Sequence, residues 1–165
     1  MLSEKRELRS PLDKGEVANT LAENIQPKRT AAELFKRKKS TNFFEGTLEW
    51  DSFELQRAIN HRNSFLPKIA GNLETTASGT KVSLKFQMPP FVIVFMVLWL
   101  GLIGLSLVVS IWLYSTGENE PTGIMILSAM FIFGIGMAYF GYTYERNKAF
   151  EELKRLLKAK EITSP

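Results

Sequence analysis

The sequence contains no cysteine, and this absence excludes disulfide bonds and every reaction that uses a thiolate. Histidine occurs once, at His61, so no second imidazole is available to build a metal site. The neighbouring Arg57 and Arg62 are cationic and would make His61 a poor base. No two carboxylates have the spacing of a catalytic acid and base pair. Gly71 and Gly79 lack the Gly-Lys of a phosphate-binding loop. We therefore expect a protein that is not an enzyme and that uses no metal or cofactor.

Charge is missing from two long apolar runs. Phe91–Tyr114 has 24 residues and Gly123–Tyr144 has 22. As helices they would extend about 36 and 33 Å, enough to cross a hydrocarbon core of about 30 Å. The eight-residue linker 115–122 is rich in turn formers, so the two helices must run antiparallel. We predict that residues 91–144 form a transmembrane hairpin whose partner is the lipid bilayer. Ion transport by the hairpin alone is not expected, because neither span contains Asp, Glu, Lys, Arg or His, and a coupled ion path normally needs such a residue.

Lysine and arginine are absent from the linker, whereas 15 precede Phe91 and six follow Tyr144. Basic residues close to a span stay on the cytoplasmic side. This distribution predicts a multi-pass protein of the cell's inner membrane with both termini in the cytoplasm.

Residues 1–42 are predicted to comprise a mobile, charged start, one helix and a basic linker. Asp13 and Glu16 have the spacing of a capping box, and Pro27 ends the apolar stripe, which places the helix at about 13–25. The linker carries a run of four basic residues: Lys36, Arg37, Lys38 and Lys39. This run is a candidate contact with anionic headgroups, or a solvated loop that enforces orientation. Nucleic acid is not an expected partner, because no reader motif accompanies the run.

Residues 43–90 change to a period of two in four short runs separated by turn residues. This pattern predicts a small four-stranded antiparallel sheet, a β-meander, with one apolar face covered by the N-terminal helix. Gly71 falls on that face, between Ile69 and Leu73. A glycine there indicates a close approach, either by the covering helix or by a ring such as Trp50 or Phe53.

Residues 145–165 are predicted to form a C-terminal cytoplasmic amphipathic helix. Its apolar stripe consists of Phe150, Leu153, Leu156 and Leu157. This helix would pack on the sheet, lie on the membrane or pair with another copy. The expected fold class is therefore α+β: a small sheet with N-terminal and C-terminal helices, plus the two-helix hairpin.

Small residues recur on one face of the second span, at Gly134, Ala138 and Gly141. Small side chains let helices in a membrane approach closely. The partner would be the first span through Gly101 and Gly104, a second copy, or another membrane protein.

Several short motifs resemble a family of uncharacterised bacterial two-span membrane proteins. The likeness covers roughly residues 10–145. Its most specific part is Arg62-Asn63-Ser64-Phe65-x-Pro67. The other shared elements are Ser10-Pro11-Leu12, Phe44-x-Gly46, Phe53, Gly71, Gly79-Thr80 and the hairpin. The chain departs from the pattern at His61, where the family has an aromatic residue such as Tyr. The resemblance implies this architecture in a bacterial inner membrane and brings no activity with it.

We therefore expect a small integral membrane protein with a non-enzymatic binding or assembly role at the cytoplasmic leaflet. The alternatives are an accessory subunit of a larger membrane complex and, behind it, an enzyme that acts on a lipid. The enzyme would need polar groups converging near His61 and Arg62.

Overall fold

The structure, a computed structural model, describes residues 3–28, 42–59, 63–118 and 120–162. Within these residues there are seven strands and three helices. The strands are β1 (Ser3–Ser10), β2 (Ile25–Gln26), β3 (Phe44–Leu48), β4 (Ser52–Arg57), β5 (Lys68–Thr76), β6 (Gly79–Gln87) and β7 (Lys160–Glu161). The helices are α1 (Lys14–Asn24), α2 (Pro90–Ser115) and α3 (Pro121–Leu156).

All seven strands belong to one mixed sheet with the order β2-β3-β4-β5-β6-β1-β7. The pairs are antiparallel except for β2 and β3, which are parallel. The predicted four-stranded antiparallel sheet is therefore wrong. The strands β3 to β6 are the consecutive middle of a larger sheet, which β2 extends at one edge and β1 and β7 extend at the other.

The largest error concerns the N-terminus, which we expected to be mobile. Instead β1 pairs with β6 along its whole length, from Ser3 opposite Gln87 to Ser10 opposite Thr80. Its alternation is hidden because Glu4 and Arg6, opposite Phe86 and Leu84, occupy inward positions where apolar residues would be expected. The edge strands β2 and β7 have two residues each, too few to show any period.

One face of the sheet carries the core, and two helices cover it. Val17 and Leu21 of α1 lie in the same buried cluster as Phe150 and Leu153 of α3. The predicted capping box is confirmed, since Glu16 N donates to Asp13 at 2.8 Å and Asp13 N donates to Glu16 at 3.0 Å. The opposite face of the sheet has no covering helix among the described residues and carries polar side chains.

The close approach predicted at Gly71 is confirmed, and the approaching group is a ring. Gly71 lies directly opposite Phe53 in the register of β4 and β5. A Cβ atom on Gly71 would overlap the Phe53 ring, which is 2 % exposed. The other candidate ring, Trp50, is 87 % exposed and takes no part. Glycine is therefore required here to leave room for a core side chain.

The helices α2 and α3 are both long and apolar enough to cross a membrane, with only 17 % and 6 % of their most apolar windows buried. Each begins with proline in its first turn, where the missing N–H has no partner to lose. The prediction of a separate C-terminal helix is wrong, because α3 continues without a break to Leu156. Of the three placements considered for this segment, packing on the sheet is the one observed, since Phe150, Leu153 and Leu157 are core residues.

Candidate functional site

The sheet meets the long helices at a junction built by two connections. Strand β6 leads through Met88 and Pro89 directly into α2. Helix α3 returns from the hairpin and reaches the sheet at Glu145 and Arg146, the first charged residues after its apolar part. The first polar layer of the protein therefore lies where the apolar helix pair ends.

The first half of this layer is a buried ion pair. The guanidinium of Arg57, at the end of β4, donates from Nη1 to Oε2 of Glu145. Their side chains are 11 % and 6 % exposed. Asn63 donates from Nδ2 to the second carboxylate oxygen at 3.0 Å, and the Phe43 ring lies 5.0 Å from the guanidinium. A pair so poorly solvated is costly to break, because each charge depends on the other.

The hydrogen bond from Asn63 to Glu145 also fastens the loop before β5 to α3, and Phe65 adds to this attachment. The amide of Phe65 donates to Oδ1 of Asn63 at 3.0 Å, which closes a turn. The Phe65 ring then packs on Gly141, about 3.1 Å from where a Cβ would stand. The Asn63-Ser64-Phe65-x-Pro67 motif thus positions the loop against the second long helix, and Gly141 supplies the space.

The second half of the layer centres on Glu4. This carboxylate accepts hydrogen bonds from Arg146 on α3 and from Nε of Arg6 at 2.7 Å. Arg6 also contacts Glu161 of β7 at 3.1 Å and lies over the Phe150 ring, 4.7 Å from its centroid. Strand β1 is therefore tied to α3 by charge on its inward face, which explains why that face lacks an apolar pattern.

A cavity of about 540 Å³ opens directly above Glu4 and Arg146, between α2 and α3. Its upper walls are Ile93, Met96, Val97, Leu100, Ile135, Ala138 and Tyr139, and its lower end is Ser3, Glu4, Met88, Tyr142, Thr143 and Arg146. Val97 is 65 % exposed and Tyr139 is 46 % exposed, so the cavity opens onto the side of the helix pair. Small-molecule sites span roughly 300–1,000 Å³ and are mostly apolar with a few polar groups. The cavity has that size and that distribution.

Tyr142 gives the cavity its most specific chemical feature. Its side chain is 5 % exposed, yet its hydroxyl has no hydrogen-bond partner within the described part of the chain. Leaving such a group unpaired costs about 1–3 kcal/mol. The hydroxyl is enclosed by protein, so a ligand in the cavity would remove that cost only by placing a polar atom directly beside it.

The small residues that were predicted to mediate helix packing differ from one another in what they contact. Gly134 lies against Leu100 and Trp99 of α2, with the position of a Cβ 3.3 Å from Leu100. Gly104 approaches Phe131 at 3.5 Å, and Gly101 has nothing within 4 Å. Gly141 contacts Phe65 rather than α2, and Ala138 lines the cavity. The glycines of the two spans therefore do not stack on each other.

The predicted headgroup contact Lys36, Arg37, Lys38 and Lys39 lies outside the described residues, as do His61 and Arg62. Among the residues that are described, no group of three or more His, Cys, Asp or Glu side chains is arranged to hold a metal ion.

Sequence reasoning missed Glu4, Tyr142 and Glu145. A signal was present for Glu145, since it continues the helical stripe of Ala149 and Leu153 as a lone carboxylate on an apolar face. Glu4 had no such signal, because its strand showed no alternation.

Comparison with known proteins adds little. No protein-family model matches the sequence, and no curated protein matches it. A solved structure, protein NE0264 from Nitrosomonas europaea, is similar at 11 % identity over 95 % of this chain and 94 % of that one. Its TM-score of 0.33 is too low to support any inference about fold or function.

Proposed function

We propose that this protein is a non-enzymatic binding module of the bacterial inner membrane, which takes an amphipathic, lipid-like molecule into the junction cavity. The observation that carries the proposal is the cavity itself, which is apolar between α2 and α3 and polar at its lower end. Tyr142, whose buried hydroxyl is unpaired, is one of the residues at that end, where the apolar helices give way to charged residues. The apolar part of the ligand would lie between α2 and α3, and its polar part beside Tyr142 and Arg146.

The proposed membrane setting rests on both the helices and the charges. The exposed surface of α2, and of α3 as far as Tyr144, is mostly apolar, which suits a hydrocarbon environment. All the basic residues of the described chain lie before α2 or after the apolar part of α3, and the linker carries none. We place the sheet and both termini in the cytoplasm on this ground.

A role as accessory subunit of a larger membrane complex is the second candidate. Trp50 favours it, because this ring is 87 % exposed in the turn between β3 and β4. Exposed tryptophans are frequent anchors of protein interfaces. Purification of the wild type and of Trp50→Ser from membranes in mild detergent separates the candidates, because only an interface at Trp50 predicts a partner lost from the variant.

The binding proposal is tested by lipid retention. The full chain is purified from membranes in mild detergent, and bound lipid is counted by native mass spectrometry. Ala138→Phe places a ring in the cavity and should reduce the lipid-bound to free ratio by about tenfold, since overfilling a site costs about 1–3 kcal/mol. Ala129→Phe is the matched control: the same change on the same helix, at an exposed position outside the cavity.

Tyr142→Phe sharpens the same test because it predicts two opposite effects. Removing the unpaired hydroxyl should raise the thermal stability of the delipidated protein, since the group has no partner there. The variant should nevertheless retain less lipid than the wild type. Equal lipid retention by the wild type, Ala138→Phe and Tyr142→Phe would mean that the cavity does not bind the lipid.

A further inference from the structure

On the outer, uncovered face of the sheet, the distribution of charged side chains changes along the strands. Near the start of α2 it carries Lys5 on β1, Lys68 on β5 and Lys85 on β6, all exposed. Farther from α2 the same strands carry Glu7, Arg9, Glu74 and Lys81 on this face. The half nearer to the long helices is therefore basic, and the other half is mixed.

The register makes the basic half unfavourable for the isolated sheet. Lys5 lies directly opposite Lys85, and like charges in that position destabilise a strand pair. Lys68 lies opposite Gln87, one step diagonally from Lys85. None of the three lysines forms an ion pair with any described residue, and the nearby Glu54 already contacts Lys28 at 3.9 Å.

The distal half is compensated within the protein. Lys81 contacts Glu7 at 2.8 Å and lies opposite Glu74 in the register. The hydrogen bond that Lys81 donates to Glu7 raises the pKa of Lys81, and the charges of Glu7 and Glu74 act in the same direction. The lysine of the distal half thus has carboxylate partners within the protein, whereas the lysines of the basic half have none among the described residues.

Distance along the chain places the basic half beside the bilayer, provided that α2 spans it as proposed above. From Gln87, level with Lys68, to Pro90 is three residues, or at most about 10 Å. The Lys5 and Lys85 pair lies two residues farther, about 7 Å more. A headgroup layer extends roughly 5–7 Å from the hydrocarbon core, and charges act over about 8 Å beyond it at physiological salt.

We propose that the lysine patch formed by Lys5, Lys68 and Lys85 binds the anionic headgroups of the leaflet that the long helices cross. The phosphates supply the negative charge that this half of the sheet lacks, and they relieve the repulsion between Lys5 and Lys85. This contact is separate from the junction cavity, which lies on the other side of the sheet between the helices. It rests on the proposed membrane setting and would hold the sheet against the surface.

The absence of cysteine allows a clean test with one label. Ser83→Cys places a polarity-sensitive dye on the outer face, between the Lys5–Lys85 pair and the equivalent Arg9–Lys81 pair. The full chain is reconstituted into nanodiscs of phosphatidylcholine with a stepwise increasing fraction of phosphatidylglycerol. The dye should respond to phosphatidylglycerol, and the response should disappear in about 1 M salt, where screening acts over about 3 Å.

Two double variants decide whether the lysine patch is responsible. Lys5→Gln with Lys85→Gln should raise the phosphatidylglycerol fraction at half response by at least about fivefold, since each basic residue near a charged surface contributes about that factor. Arg9→Gln with Lys81→Gln removes the same charge from the same two strands and should shift it less than about twofold. Equal responses in both lipids, or equal shifts in both variants, would overturn the proposal. Failure of the chain to enter nanodiscs would instead overturn the membrane setting.

Discussion

Replacing Glu145 with alanine is expected to lower the free energy of unfolding by about 3–5 kcal/mol, because it leaves Arg57 buried without its counter-ion. Asn63 would lose its acceptor as well, so the loop before β5 would detach from α3. In thermal unfolding followed by circular dichroism in mild detergent, this corresponds to a decrease in midpoint of roughly 6–20 °C.

Glu151→Ala is the matched control for that result. Glu151 lies on the same helix and pairs with Lys154, but its side chain is 66 % exposed. Exposed pairs contribute about 0–1 kcal/mol, so the midpoint should barely move. Changing Arg57 and Glu145 together to leucine should recover much of the loss, since no uncompensated charge remains. If Glu145→Ala were as mild as Glu151→Ala, the junction would not depend on this pair.

Gly71→Val is expected to reduce stability by about 1–3 kcal/mol, although valine favours strands. The Phe53 ring occupies the space that the new side chain needs, and the surrounding core gives it no other place. Ala70→Val is the control, because it makes a similar change one residue away on the outer face, where Ala70 is half-buried. That variant should be neutral or slightly stabilising.

A second background shows whether the ring causes the loss. Phe53→Ala alone should cost about 3–5 kcal/mol by emptying the core. Adding Gly71→Val to Phe53→Ala should then cost nothing further and should regain part of the lost stability, because the two residues face each other across β4 and β5. A full additional loss in the double variant would mean that Gly71 is required for another reason.

Prediction from sequence succeeded where one residue pattern determined one local structure. Asp13 and Glu16 defined the start of α1, since a capping box depends only on neighbours. Gly71 on an apolar face correctly predicted a close approach, because that position lacked the side chain its strand needed; whether a helix or a ring approaches was left open. The two uncharged runs correspond to helices with exposed apolar surfaces.

Prediction failed where distant charges replaced apolar contacts. Glu4 and Arg6 face α3 as ion-paired residues, so β1 had no alternation and read as an irregular segment. Helix α3 crosses from apolar to amphipathic composition at Glu145, and that change of composition suggested a break where the backbone has none. The junction cavity depends on both features, so no local pattern could reveal it.

We propose that the long helices form a membrane hairpin, with the sheet and the C-terminal part of α3 on the cytoplasmic side. The chain has no cysteine, so single cysteines can be introduced and labelled in intact cells with an impermeant maleimide. We expect Thr116→Cys in the linker to be labelled from outside. Asn72→Cys on the sheet and Glu151→Cys on α3 should be labelled only after the membrane is opened. Labelling of Asn72→Cys or Glu151→Cys in intact cells, or protection of Thr116→Cys, would contradict the account.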